Sequence, residues 1–208
     1  MLDVSIVVST FGDDIWKKQA KERALPNAYS FGVPVHYNHK ETLHEARNAG
    51  LYAVETEFVC HLDADDELAP GFFHWMEKVD GDLRPPSVNH VYARQTFMPR
   101  VVAKTVHQHE CVADCLEEGN WLVVGTVART KILQNIGGWK DWKTFEDFDL
   151  WQRAWLAGAT ITPVPLAVYK AYSTPAGRCK NLPISESRRI QRAICMTNMP
   201  DRNFDWLK

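Results

Sequence analysis

The first 65 residues alternate between strand-like and helix-like segments, and this alternation is the strongest constraint on the fold. Short apolar runs bounded by polar or turn residues predict buried strands at 2–10, 33–39 and 57–64. The intervening segments predict helices at 14–25, ending before Pro26, and at 41–55. Strands and helices in this order favour an α/β fold with a parallel sheet and helices on its faces.

The second half of the chain is less regular but continues the same mixture. We expect further helices at 71–79, 127–138 and 147–158, and further strands at 88–98 and 159–170. No repeat or low-complexity linker divides the 208 residues, and this length suits one sizeable core. We therefore expect a single domain over residues 1–208, with 171–208 as a basic C-terminal extension.

The net charge of −2 hides an uneven distribution. From Arg178 onward seven Lys and Arg face three Asp and Glu, a net charge of +4, which leaves −6 for the first 177 residues. A near-neutral chain lacks the basic face that a nucleic-acid polymer needs. The basic tail is expected to be a solvated helix face, with contact to phosphate or to a membrane surface as the alternatives.

Several features suggest a cytoplasmic protein. The five cysteines are odd in number and irregularly spaced, which argues for a reducing compartment rather than a disulfide framework. No signal-peptide pattern follows Met1, and no apolar run approaches the length of a transmembrane helix.

The densest chemical signal is the sequence DADDE, residues 63–67, at the end of the third predicted strand. In open parallel sheets, ligands bind at the carboxyl ends of the strands. Asp63 and Asp65 project from one face if the strand continues that far. Such crowded carboxylates suit a hard cation, Mg²⁺ or Mn²⁺, whose coordination is completed by phosphate and water.

Other acidic-loop chemistries can be tested by register. A calcium loop of the EF-hand type starting at Asp63 requires Gly at its sixth position and Glu at its twelfth, where this chain has Leu68 and His74. A haloacid-dehalogenase-like phosphohydrolase also uses Asp-x-Asp after an apolar strand, and it remains an alternative. A solvated acidic turn is the third interpretation.

A second acidic cluster, Glu146, Asp147 and Asp149, precedes an apolar helix. Acidic residues are favourable at a helix N-terminus for electrostatic reasons alone. Two separate carboxylate clusters can nevertheless divide the chemistry, because one can hold a metal-bound diphosphate while the other supplies a general base.

Five segments in the same order resemble the family 2 glycosyltransferases of the GT-A fold over residues 2–170. They are VSIVVST (4–10), EARNAG (45–50), FVCHLDADDELAPGF (58–72), GTVARTKILQNIGGWKD (125–141) and FEDFDLWQRAWLAGA (145–159). The resemblance implies a single GT-A, Rossmann-like α/β domain with a mixed, mainly parallel central sheet flanked by helices. It also implies that a sugar is moved from a nucleoside diphosphate to an acceptor.

The resemblance assigns roles to individual residues. It implies that Asp65 and Asp63 bind Mn²⁺ or Mg²⁺ and the donor, with Asp66 as a substitute for either. It places Thr10 beside the nucleobase, Arg47 near the donor nucleotide, Asp147 as the catalytic base and Glu146 in support or acceptor contact. Gly138 and Trp139 match an acceptor-side loop. The tryptophans are expected to lie mostly in the core, with stacking of Trp121 and Trp139 on a sugar as the alternative.

The chain departs from the family pattern in two places. Residues 14–33 are too few for the usual helix and second strand with an acidic residue that holds the base, so the nucleobase preference is less constrained. The family's metal-binding or diphosphate-binding His corresponds here to Tyr172. Either the metal therefore has fewer protein ligands, or Arg178 and Lys180 in the basic tail bind the leaving diphosphate instead.

These observations predict a metal-dependent, inverting glycosyltransferase that uses a UDP-sugar such as UDP-glucose and an acceptor of unspecified class. A peripheral membrane contact through the tail is compatible with that function. The alternatives are the phosphohydrolase and a non-catalytic sugar- or nucleotide-binding module.

Overall fold

The computed structural model describes residues 2–92, 104–106, 116, 120–173 and 182–202. Its strands are β1 (Val4–Phe11), β2 (Val35–Lys40), β3 (Phe58–Asp63), β4 (Glu67–Leu68), β5 (Leu83–Arg84), β6 (Pro86–Tyr92), β7 (Lys104–Val106), β8 (Val127–Arg129) and β9 (Val164–Ser173). Its helices are α1 (Asp14–Gln19), α2 (Leu25–Tyr29), α3 (Leu43–Ala53), α4 (Phe72–Met76), α5 (Thr130–Asn135), α6 (Glu146–Leu156) and α7 (Ile184–Asn198). A π-helical turn at Ala20–Ala24 joins α1 to α2.

The central sheet has the strand order β2-β1-β3-β8-β5 in the described part of the chain. β1 pairs in parallel with both β2 and β3, and β8 pairs antiparallel with β3 and β5. The predicted α/β class and the alternation over the first 65 residues are thus confirmed. Because β1 and β3 are parallel, their carboxyl ends meet at the same edge, where Ser9 lies opposite Asp63.

A second sheet in the described residues has the order β4-β9-β6-β7. The two-residue strand β4 follows the acidic segment directly and pairs antiparallel with β9, with Leu68 opposite Tyr169. β9 extends to Ser173, three residues into the segment expected to be an extension. The second sheet therefore approaches the end of β3, and both sheets contribute to one hydrophobic cluster.

Two predicted helices differ from the structure. The helix expected to end before Pro26 continues to Tyr29, because the π-helical turn precedes the proline and replaces the regular bonding that a proline would interrupt. The segment 127–138 begins as strand β8 rather than as a helix, since Val127 and Ala128 pair with β3. Only Thr130–Asn135 of that segment is helical.

Helix α3 is fixed at its start and along its buried face. Thr42 and Glu45 form a reciprocal capping box at its N-terminus. At Gly50 the helix packs directly on β1, where an added Cβ would lie 2.3 Å from Cγ1 of Val7. This contact sets the depth of α3 against the sheet and therefore the position of Arg47, one turn earlier.

None of the described helices is long and apolar enough to cross a membrane. Cys60 and Cys195 are buried and unpaired. The cytoplasmic location stays a prediction.

We expect Gly50→Ala to lower the free energy of unfolding by about 1–3 kcal/mol, because the added methyl group would displace α3 from β1. Urea unfolding would measure this change. Tyr52→Ala is the matched control, since Tyr52 is 55% exposed on the same helix, and it should change stability by less than about 0.5 kcal/mol. An equal effect of the two substitutions would contradict the role given to Gly50.

Candidate active site

The buried guanidinium of Arg47 joins the two acidic clusters. Its Nη2 donates to Oδ1 of Asp63 at 2.6 Å, and its Nη1 donates to Oε1 of Glu146 at 2.7 Å. The Arg47 side chain is 2% exposed. Burial alone would lower the pKa of Arg47, but the charges of Asp63 and Glu146 raise it above its ordinary value. Arg47 is therefore a permanent cation that holds the end of β3 against the start of α6.

Arg47 is covered by the indole of Trp139, whose ring centroid lies 4.2 Å from its Cζ. Asn48 fixes Trp139 through two hydrogen bonds, donating to its carbonyl and accepting from its backbone N–H, each at 2.8 Å. Trp139 Nε1 also donates to Nε2 of His61 at 3.3 Å. Because burial, followed by the charge of Arg47, lowers the pKa of His61, this ring is neutral and able to accept.

These contacts correct two expectations. Trp139 is 2% exposed, so it leaves no ring face open for a sugar and acts as the lid over Arg47. Arg47 in turn is bound to two carboxylates beneath that lid, so it positions the acidic groups rather than contacting a nucleotide directly. Gly138 is buried beside them, and an added Cβ would lie 2.3 Å from Oδ1 of Asn48.

Asp147 lies next to Glu146 in the first turn of α6 but in a different electrostatic setting. Burial raises its pKa to about 6, and the adjacent charge of Glu146 adds to the shift. A hydrogen bond to the Asn120 side chain and the backbone N–H of Phe148, 2.8 Å from Oδ1, oppose the shift. Asp147 is partly exposed, so it combines access to solvent with a basicity above that of an ordinary carboxylate.

The residue before this pair has a strained backbone. Phe145 has a φ of 61°, in the left-handed region that a bulky side chain rarely adopts. Strain of this kind costs of order 1–3 kcal/mol and persists only where the surrounding structure enforces it. The turn at Phe145 delivers Glu146 to the buried Arg47 and leaves Asp147 beside it at the helix start.

The acidic segment after β3 is a tight turn rather than a continued strand. β3 ends at Asp63, and the N–H of Asp66 donates to the Asp63 carbonyl at 3.1 Å. The condition under which Asp63 and Asp65 would project from one strand face, a strand that continues to Asp65, is therefore not met. The Arg23 guanidinium donates to the carbonyl of Asp65 at 2.6 Å and supports the turn from the π-helical side.

Asp66 is turned inward and bound by the second sheet. Its Oδ2 accepts from the hydroxyl of Tyr169 at 2.6 Å, and its Oδ1 accepts from the N–H of Tyr172 at 2.7 Å. Burial, followed by the charges of Asp63 and Asp65, raises the pKa of Asp66 well above its usual range. With 7% exposure and both oxygens bound, Asp66 anchors the turn and does not match its expected role as a substitute ligand.

The carboxylates of Asp63 and Asp65 fit a divalent cation of the Mg²⁺ or Mn²⁺ type. The described residues contain no group of three or more metal-ligating side chains. Such cations are, however, commonly held by one or two carboxylates together with substrate phosphates and water. The Asp63 side chain is 35% exposed and Asp65 is partly exposed. The pKa of Asp66 is raised first by burial and then by the charges of Asp63 and Asp65, and a cation at the turn would offset those charges.

The remaining expected residues are Thr10, Trp121, Arg178 and Lys180. Thr10 is fully buried at the end of β1, and its hydroxyl is 3.0 Å from both the Tyr37 hydroxyl and Nδ1 of His39. In this arrangement, the buried Thr10 side chain is not accessible to a nucleobase. Trp121 is half-buried against the core. Arg178 and Lys180 lie outside the described residues.

Three functional contacts were missed by the sequence reasoning. Asn48 belongs to the same ARN segment as Arg47, and Trp139 belongs to the quoted GGW segment, so the motifs contained a signal for this pair. The anchoring of Asp66 by Tyr169 and Tyr172 gave no local signal, because those residues follow about a hundred positions later. Arg23 was hidden among several cations of the predicted first helix.

Comparisons with known proteins give no match at the sequence level and clear matches at the level of structure. No family model matches the sequence, and no curated protein matches it. Among solved structures, the chain is similar to residues 1–349 of TarS from S. aureus, with 16% identity over 99% of this chain and 68% of that one and a TM-score of 0.59.

The same TarS region has also been solved with nucleotides. Its complex with UDP-GlcNAc matches with 16% identity, 99% and 69% coverage and a TM-score of 0.60. Its complex with UDP matches with 17% identity, 99% and 68% coverage and a TM-score of 0.54. Identities this low establish the fold and nothing finer. The chain therefore has the GT-A fold that the resemblance implied.

Proposed function

We propose that this protein is a divalent-metal-dependent glycosyltransferase that moves a sugar, with inversion, from a nucleoside diphosphate to an acceptor hydroxyl. One observation carries the proposal: Arg47 brings the carboxylate cluster after β3 against the cluster that starts α6. One cluster faces a charged donor while the other offers a base. The fold shared with TarS, which has been solved with UDP and UDP-GlcNAc, supports a nucleotide-sugar donor.

Asp147 is proposed as the general base. A carboxylate with a pKa of about 6 is ionised at neutral pH and still accepts a proton more readily than an ordinary aspartate. The acceptor O–H gives its proton to Asp147 as its oxygen bonds to the anomeric carbon. The bond from that carbon to the diphosphate oxygen breaks, and the diphosphate leaves with the electron pair. Attack from the face opposite the leaving group inverts the anomeric centre.

Glu146 has a supporting role. Its carboxylate accepts from the permanent cation Arg47 and its side chain is 6% exposed, so it is buried in an ion pair with little access to an acceptor. Its negative charge instead contributes to the raised pKa of Asp147. The two adjacent acids thus differ in function because Glu146 is bound in the ion pair with Arg47, whereas Asp147 is partly exposed.

Asp65 and Asp63 are proposed to hold the cation and the donor. A divalent ion, when bound there, offsets the negative charge that develops on the leaving diphosphate. A UDP-sugar is the proposed donor. UDP-glucose and UDP-GlcNAc are the two to assay first, the former from the sequence and the latter from the TarS complex.

We expect UDP to bind with a measurable affinity only in the presence of Mn²⁺ or Mg²⁺. Asp65→Asn should weaken this binding by at least about tenfold, because a lost charged ligand typically costs 1.4 kcal/mol or more. Calorimetric titration with and without the metal provides the measurement. Asp80→Asn, at an exposed carboxylate, is the control and should bind like the unmodified protein. Metal-independent UDP binding that Asp65→Asn leaves intact would refute the metal assignment.

Asp147→Asn should lower kcat by about 10²–10⁴ while UDP still binds, because the variant loses the base but keeps the donor site. Turnover can be followed as UDP release from each UDP-sugar in the presence of acceptor mixtures. Asp141→Asn, at a carboxylate 78% exposed, should retain activity within about twofold. Unchanged turnover in Asp147→Asn would show that Asp147 is not the base.

The same assays separate the alternative functions. Phosphate release from a simple phosphomonoester would favour the phosphohydrolase, and UDP binding without turnover would favour the binding module.

The pH dependence follows from the same carboxylate. Since the base must be ionised to accept a proton, kcat/KM should rise with pH and level off above about 6, the raised pKa of Asp147. At a more acidic pH, each unit should cost about tenfold in rate. The residual activity of Asp147→Asn should not show this fall of kcat/KM at acidic pH. If kcat/KM of the unmodified protein instead falls only near the ordinary pKa of aspartate, Asp147 is not the titrating group.

A further inference from the structure

Arg23 is a cation held at the acidic turn without a carboxylate of its own. It lies in the π-helical turn Ala20–Ala24, and its Nη1 donates to the carbonyl of Asp65 at 2.6 Å. Among the described residues, no carboxylate oxygen lies within ion-pair distance of Arg23, and that carbonyl is its single hydrogen-bond acceptor. Most of its five N–H groups are therefore available to a ligand.

The guanidinium of Arg23 is held in place by other contacts than an ion pair with a carboxylate. Its Cζ lies 3.9 Å from the centroid of the Tyr172 ring, a stacked cation–π contact. Tyr172 is itself fixed, because its hydroxyl donates to Glu67 at 3.0 Å and its N–H donates to Asp66. Glu67 is also paired with Lys170 at 3.4 Å. This contact and the hydrogen bond to Asp65 restrain Arg23 before any ligand arrives, which reduces the entropy lost on binding.

We propose that Arg23 binds the diphosphate of the nucleotide donor, an inference that rests on the proposed function. A planar, permanently charged fork matches two phosphate oxygens at once. Its hydrogen bond to the backbone of Asp65 places this fork beside the carboxylate proposed to hold the metal. A diphosphate has enough oxygens to meet a cation on one side and Arg23 on the other, so the two positive groups share the leaving-group charge.

A purely structural role is the competing explanation, since Arg23 also supports the turn through the Asp65 carbonyl. The two roles differ in how binding depends on phosphate. If Arg23 contacts the diphosphate, removing its charge weakens UDP strongly, UMP less and uridine hardly at all. If Arg23 only shapes the turn that carries Asp65, Arg23→Gln should weaken UDP in the unmodified protein but not in the Asp65→Asn background, where that metal ligand is already lost.

The experiment is calorimetric titration of the full chain with uridine, UMP and UDP in the presence of Mg²⁺. Arg23→Gln should weaken UDP by about 10–100-fold, the range for one or two charge-assisted hydrogen bonds, and leave uridine within about twofold. Arg23→Lys, which keeps the charge but loses the fork, should give an intermediate loss for UDP. Lys21→Gln removes an exposed charge from the same turn and should bind UDP like the unmodified protein.

Thermal unfolding of each variant controls for folding. If Arg23→Gln does not fold, the comparison of UDP with uridine in Arg23→Lys decides the question in its place. Equal weakening of uridine and UDP, an unchanged affinity for UDP, or a loss of UDP affinity that disappears in the Asp65→Asn background would overturn the inference while leaving the proposed function intact. Failure of the unmodified protein to bind UDP would overturn both.

Discussion

The burial of one positive charge organises the candidate site. Desolvating a guanidinium costs several kcal/mol unless close, well-aligned anions compensate it. Arg47 meets this requirement with Asp63 from the end of β3 and Glu146 from the start of α6. Because the compensation depends on both anions, α3, β3 and α6 are held in one arrangement. Two further contacts help to position Arg47. Helix α3 approaches β1 closely at Gly50, and Trp139 covers the guanidinium.

The neighbouring acids differ in whether they are bound in an ion pair with this cation. Glu146 is paired with Arg47, whereas Asp147 has burial and a negative neighbour acting on it, so its pKa rises to about 6. Asp63 is similarly paired, and Asp66 is removed into hydrogen bonds with β9. A set of chemically similar carboxylates therefore separates into structural anchors, a partly exposed donor-side pair and one candidate base.

The acidic turn is supported from three sides. β9 binds Asp66 and pairs with β4, Arg23 donates to the carbonyl of Asp65, and the Asn27 side chain both accepts from the Leu68 N–H and donates to its carbonyl. Fixing the backbone in this way reduces the entropy that a ligand must overcome. The π-helical turn takes part directly, because it carries Arg23 to the turn in a segment that the sequence suggested was only an ordinary helix.

The sequence by itself determined the α/β class, the three parallel strands and the two acidic clusters, because apolar periodicity and strand-end position are local properties. It also contained the ARN and GGW segments that later proved to be in contact. Only the tertiary structure decided that Arg47 is buried between Asp63 and Glu146, that Trp139 covers it, and that Asp66 faces inward. These outcomes depend on charges and hydrogen-bond partners brought together from distant parts of the chain, and such long-range compensation leaves no signature in the spacing of neighbouring residues.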